Sequence, residues 1–155
     1  MVANVGARDS DADRFEASIE LTPIAPSLDG LRILAVDDDS DALTMIRDIL
    51  ETSGATVLAA SSAEGALKIL DTEHPDVLVA DLGMPRIDGF ELIARIRRRP
   101  SGSASQLPAV ALTAYARSED KARALRAGYQ THMSKPINPA ELVACVLALG
   151  REGAA

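Results

Sequence analysis

The chain has a single cysteine, Cys145, and no tryptophan. One thiol excludes an internal disulfide and any cysteine-clustered zinc or iron–sulfur site. Only four residues are aromatic, Phe15, Phe90, Tyr115 and Tyr129, so the core must be built from Ala, Leu, Ile and Val. No apolar run approaches the roughly 18 residues of a membrane span. The N-terminus lacks the basic-then-apolar order of a secretory signal. A cytoplasmic protein without membrane contact is therefore expected. Neither the Walker nor the dinucleotide glycine spacing occurs. Bases are the minority: 16 Lys and Arg stand against 23 Asp and Glu, a formal charge of −7. That sign argues against general nucleic-acid binding, and no direct DNA contact is expected.

What is present is one domain's worth of chain: 155 residues, 47% apolar, enough to remove roughly 68–70% of the unfolded surface from water. The acid is uneven. Residues 1–29 hold six acids and two arginines, a balance of −4, whereas residues 30–155 balance at −3. The first stretch begins polar and ends with Pro23, Pro26 and Gly30, all linker signals. Residues 1–29 are thus expected to be a flexible acidic leader with one short alternating strand at Ala17–Leu21. A domain over 30–150 and a tail over 151–155 follow.

Within 30–150, short apolar runs of strand length alternate with amphipathic stretches of helical length. The runs are Leu31–Val36, Ala55–Ala60, Val77–Ala80, Pro108–Leu112 and Tyr129–Met133. Ser40–Thr52 gathers Leu43, Ile46, Ile49 and Leu50 on one helical face. Ala63–Leu70, Phe90–Arg97, Glu119–Ala127 and Pro139–Leu149 repeat the pattern. Ser40, Ser62, Asp88, Ser118 and Asn138 are candidate N-caps, and Gly54 and Gly128 sit where helices should end. Strands separated by helices must pair parallel through right-handed crossovers. The expected fold is a doubly wound α/β domain with helices on both faces of a five-stranded parallel sheet.

In such sheets ligands bind beyond the carboxyl ends of the strands. Those positions carry Asp37, Asp38 and Asp39, then Asp81, Thr113 and Lys135. Two carboxylates about 4 Å apart repel by roughly 4 kcal/mol at an effective dielectric of 20. Crowding Asp37, Asp38 and Asp81 therefore demands raised pKa values or a cation. Oxygen donors without neighbouring His or Cys point to Mg²⁺ or a similar ion such as Mn²⁺. A metal, a lysine and a threonine together suit a phosphoryl group, and a carboxylate there can be the nucleophile. Asp81, alone at its strand end, is the best placed.

The runs Ile33-Leu-Ala-Val-Asp-Asp-Asp-Ser40, Val77-Leu-Val-Ala-Asp-Leu-Gly-Met-Pro-Arg-Ile-Asp-Gly89, Ala111-Leu-Thr-Ala114 and Ser134-Lys-Pro-Ile137 resemble the response-regulator receiver domain over about residues 31–150. The resemblance implies a flavodoxin-like strand order 2-1-3-4-5. It implies that Asp81 takes a phosphoryl group from a phosphohistidine on a histidine kinase or histidine phosphotransfer protein. Asp38, Asp81 and the Gly83 carbonyl would bind Mg²⁺, with Asp37 helping, often through water. Thr113 would bond the phosphoryl group, Lys135 would pair with it, and the Lys135–Pro136 bond would be cis. A signalling module is implied rather than a turnover enzyme, with a downstream protein partner at the surface around residues 117–149. Because the chain stops at Ala155, no output domain is expected to follow.

One position departs from the family pattern. His132 stands where a Phe or Tyr usually rotates on activation, and it is titratable near neutral pH. Gly83 and Tyr115, two residues past the phosphoacceptor and the threonine, are expected to tune dephosphorylation, Tyr115 chiefly. Arg97–Arg99 is expected to be a solvated helix end or an anion patch. Cys145, Met45, Met84 and Met133 are expected to be packing residues. Two further readings are a Mg²⁺-dependent phosphohydrolase with an aspartyl-phosphate intermediate and a phosphorylation-independent interaction domain. A stand-alone regulator and a receiver from a hybrid kinase both fit.

Overall fold

Alternating apolar residues build a sheet buried on both sides. In the computed structural model, which describes residues 26–100, 104–114 and 117–154, the strands are β1 (Arg32–Val36), β2 (Thr56–Ala60), β3 (Val77–Asp81), β4 (Ala109–Thr113) and β5 (Thr131–Ser134). All pair parallel in the order β2-β1-β3-β4-β5. Helices α1 (Ser40–Thr52), α2 (Ala63–Thr72), α3 (Gly89–Arg97), α4 (Ser118–Ala127) and α5 (Pro139–Ala154) connect and cover them. The doubly wound α/β fold and its strand order are as expected.

The period of two divides the core chemically. Ile33, Val57, Val77, Val79, Val110 and Leu112 face one side, under Ile46 and Leu50 of α1 and Leu142, Val143 and Val146 of α5. The opposite side is lined by smaller residues, Ala60, Ala80, Ala109 and Ala111 among them, under α2, α3 and the single buried residue of α4, Ala124. Short side chains there let Leu92, Ile93 and Ile96 of α3 press close to the strands.

Caps explain several boundaries and correct two expectations. Asp39, not Ser40, caps α1, accepting from the Asp41 and Ala42 N–H groups. A carboxylate there also meets the positive end of the helix dipole. Ser62 and Asp88 cap α2 and α3, and Asn138 accepts from the Glu141 N–H at the start of α5. Helix α4 has no side-chain cap: Arg117 holds the position and Ser118 is already helical. Gly128, at φ 126°, ends α4. Tyr129 stands before β5 rather than in it.

Three further expectations change. Met45 is exposed, whereas Met84 and Met133 are buried. Helix α5 continues to Ala154, through the stretch set apart as a tail. The domain begins before residue 30: Leu28 is fully buried among Ile33, Ile46 and Leu50, and its N–H donates to the Ser53 carbonyl at 2.7 Å. The alternating segment Ala17–Leu21 lies outside the described residues.

Leu28→Ala is therefore expected to cost about 2–5 kcal/mol, the range for a buried leucine, read from urea unfolding. A loss below about 0.5 kcal/mol would place Leu28 outside the cooperative unit.

Candidate functional site

The parallel register brings the ends of β1, β3 and β4 to one edge. Asp37 follows β1 and Asp81 ends β3; Thr113 ends β4, and Lys135 follows β5. Asp37 is fully buried, with both oxygens engaged. Oδ1 accepts from the Asp39 N–H at 2.9 Å and Oδ2 from Lys135 Nζ at 3.0 Å. Lys135 Nζ also lies 3.3 Å from Asp81 Oδ1. The Lys135 N–H donates to the Thr113 carbonyl at 2.8 Å, and the Lys135–Pro136 bond is cis. Asp81 is 7% exposed and Thr113 5%, so both lie at the bottom of a cleft rather than on a surface. That cleft, about 300 Å³, is lined by Asp81, Leu82, Gly83, Phe90, Thr113, Ala114, Asp120 and Lys135.

Asp37, Asp38 and Asp81 each place a carboxylate oxygen within 4.8 Å of the others'. Two of the three are buried and Asp38 is exposed. An all-oxygen set, partly closed and partly open to water, fits a small hard divalent cation. The charges fit it too. Burial, and next the charge of Asp37, push the Asp81 carboxyl above its ordinary value against the pull of Lys135 and a Gly83 backbone hydrogen bond. Burial works against the charge on Lys135, but its bond to Asp37 and the two nearby carboxylates outweigh this and raise its pKa. One lysine thus balances fewer charges than the aspartates supply. A larger apolar cleft of about 470 Å³ between α1 and α5 is lined by Ile49, Pro139, Val143 and a single acid, Asp48. It gathers no comparable chemistry.

The family model of the response regulator receiver domain matches residues 33–147. The chain belongs to that family. An uncharacterised 14.6 kDa protein in the sodA1 3′ region of Leptolyngbya boryana is 50% identical over 114 residues, 74% of this chain and 86% of that protein. The sensor histidine kinase GacS of Pseudomonas protegens is 38% identical over 117 residues, 75% of this chain but only 13% of the kinase. Among solved structures, the receiver domain of Francisella response regulator 1452 superposes with a TM-score of 0.74 at 28% identity, covering 79% of this chain and 98% of that one. This is a receiver domain of two-component signalling. No helix among its described residues is long and apolar enough to cross a membrane.

Of the expected site residues, this receiver gathers Asp37, Asp38, Asp81, Gly83, Thr113 and Lys135 at one cleft. His132 is not among the lining residues. It sits on β5 opposite Ala111, partly exposed, with a buried Nδ1 that has no hydrogen-bond partner. Desolvation, then the charge of Lys121, lowers its pKa. Tyr115 lies outside the described residues. Phe90 and Asp120 line the cleft from α3 and α4 and are not strand-end residues. Phe90 also carries the Arg123 guanidinium 3.8 Å above its ring. Of the run Arg97–Arg99, Arg98 is exposed as a solvated end would be, whereas Arg97 and Arg99 are partly buried and paired within the fold. Arg97 bonds the Gly128 and Ser105 carbonyls, Arg98 reaches Glu91, and Arg99 reaches the Leu67 carbonyl and Asp71. Cys145 packs beside the α1–α5 core, and burial raises its thiol pKa.

The raised Asp81 carboxyl makes a stability prediction. A carboxyl that holds its proton to higher pH in the fold than in the unfolded chain costs stability as pH rises from the ordinary carboxylate range through the folded value. Asp81→Asn removes that cost. It is expected to raise Tm by about 2–4 °C at pH 7 in magnesium-free buffer, the size of a change on the order of 1 kcal/mol. The gain should vanish below the ordinary carboxylate range. Equal melting temperatures at pH 7 would mean that Lys135 already neutralises the ionised group.

Proposed function

We propose that this receiver takes a phosphoryl group onto Asp81 from a phosphohistidine on a histidine kinase or histidine phosphotransfer protein, in a Mg²⁺-dependent reaction. The observation that carries this is the salt-bridged cluster itself: one nucleophilic carboxylate, Asp81, in a cleft shared with Lys135, Thr113 and the acidic oxygen set. An Asp81 oxygen bonds to phosphorus as the phosphorus–nitrogen bond of the donor breaks, and the electron pair returns to the imidazole nitrogen. Asp38, Asp81 and the Gly83 carbonyl would hold the ion, with Asp37 supporting. The bound ion supplies positive charge to the phosphoryl oxygens and to the crowded carboxylates. Lys135, already between Asp37 and Asp81, shifts its interaction toward the new phosphoryl oxygens. Thr113, level with Ser134 on β5, offers its hydroxyl to the same group.

Gly83 leaves the nucleophile accessible. A β-carbon there would meet only Asp81 Oδ2, at 3.9 Å, so the glycine is not imposed by crowding. Any longer side chain would stand over the carboxylate. Dephosphorylation is therefore tuned at Gly83 by the room it leaves for water.

Output passes through the surface around residues 117–149 to a protein partner. Two features support that surface. Leu125 of α4 is 49% exposed, and His132, on β5 within the same stretch, has an unpartnered nitrogen. A phosphoryl group that draws Thr113 inward would bias the packing behind it, a two-state shift of modest energy. The domain is a signalling module whose phosphoryl group is spent on switching rather than on turnover.

Incubation with acetyl phosphate and Mg²⁺, followed by intact mass, tests the reading. One phosphoryl adduct per chain is expected for the wild type, and none for Asp81→Asn or with a chelator. Continuous release of phosphate over many turnovers would instead favour a phosphohydrolase. Unlabelled wild type would refute the proposal.

A further inference from the structure

The loop that carries Gly83 is closed at a narrow neck. Leu82 donates its N–H to the Leu112 carbonyl at 2.9 Å, and its own carbonyl accepts from the Gly89 N–H at 3.1 Å. Residues 83–88 form the loop between these two. Gly89 lies so close to the end of β3 that a β-carbon would stand 2.6 Å from the Asp81 carbonyl oxygen and 2.7 Å from Leu82 Cα. No side chain fits there, so the neck and the phosphoacceptor backbone move as one piece.

That neck is gripped from the far side of the domain. The Tyr129 hydroxyl, with the residue only 3% exposed, donates to the Gly89 carbonyl at 2.8 Å. A phenol buried this deeply needs a partner, because an unpaired buried hydroxyl costs about 1–3 kcal/mol. Burial also holds its pKa well above the usual phenol value. The adjoining residue is held as well: Arg97, the last residue of α3, donates to the Gly128 carbonyl through Nε at 3.1 Å and Nη2 at 2.6 Å. Helix α3 is thus tied at both ends to the dipeptide Gly128–Tyr129, which leads into β5, the strand that Lys135 follows.

We infer that Tyr129 is a positioning residue for the proposed phosphoryl chemistry: through the Gly89 carbonyl it holds the loop that presents the Gly83 carbonyl to the metal. The inference rests on the receiver reading of the cleft but adds a residue outside it. Tyr129 is neither a residue lining the cleft nor one of the three aspartates, though it packs in the same apolar layer as Leu82 and Phe90, which do line it. Its hydroxyl reaches the loop through backbone, at the Gly89 carbonyl.

Calorimetric titration of the unphosphorylated protein with MgCl₂ tests this without relying on activity. Tyr129→Phe keeps the ring and removes the donor. It is expected to weaken Mg²⁺ binding about three- to tenfold, as loss of a hydrogen bond that orders one ligand would. A control separates positioning from general loosening. Asp76→Ala removes the acceptor of the Arg32 N–H, a 2.8 Å bond at the opposite edge of the sheet. It should lower Tm comparably yet leave the Mg²⁺ Kd within twofold of wild type. If Tyr129→Phe lowers Tm but leaves the Kd unchanged, Tyr129 is only a structural residue and the inference falls. If wild type itself binds no Mg²⁺, it is the reading of the cleft that fails.

Discussion

Two carboxylates, Asp37 and Asp81, stand at the ends of adjacent strands and cannot move apart while β1 and β3 remain paired. Everything at that edge answers this repulsion. Lys135 crosses from β5 to lie between them, 3.0 Å from one and 3.3 Å from the other. Asp39, next in the chain, turns its charge to the α1 terminus and lends its N–H to Asp37. Asp38 and Asp39 are both exposed, and of the two only Asp38 belongs to the metal-type oxygen set. The arrangement is balanced without being neutral, and a site in that condition has an unmet demand for positive charge. Burial raises the demand, since desolvation penalises each uncompensated carboxylate.

The geometry of a parallel sheet turns this demand into chemistry. Because all five strands run the same way, their carboxyl ends share an edge, and residues far apart in sequence meet there. Asp37 and Lys135 are 98 positions apart yet hydrogen-bonded. The two faces of the sheet contribute differently. Branched residues beneath α1 and α5 make one layer, while beneath α2, α3 and α4 the alanines Ala60, Ala80, Ala109 and Ala111 are mixed with Leu34, Val36 and Leu78.

Much of this was legible in the chain. Alternation of short apolar runs with amphipathic stretches located the five strands and five α-helices among the described residues, but not the short 3-10 turn at Ala104–Gln106. The strand-end rule then found Asp37, Asp81, Thr113 and Lys135, because each is placed by backbone direction alone. Residues whose positions depend on packing were not visible. Among three consecutive aspartates, composition does not say which one caps a helix, and the choice of Asp39 over Ser40 follows from the turn that buries Asp37. Leu28 sits in a stretch with linker composition and is buried only because α1 and α5 leave room for it. Phe90 and Asp120 reach the cleft from helices, which a strand-end search passes over. Three successive arginines have the appearance of a solvated face, and only the fold reveals four carbonyl acceptors within their reach.

Helix α4 buries one small side chain, lacks a side-chain cap, and ends at a glycine. Such an element is held weakly, and local opening free energies fall toward zero where buried apolar contact is sparse. It is therefore expected to open more readily than β3 and β4, which are buried at every position. If the cleft takes a phosphoryl group as proposed, the event would sit on the most buried strands, while the helix nearby would have few contacts to break on rearranging.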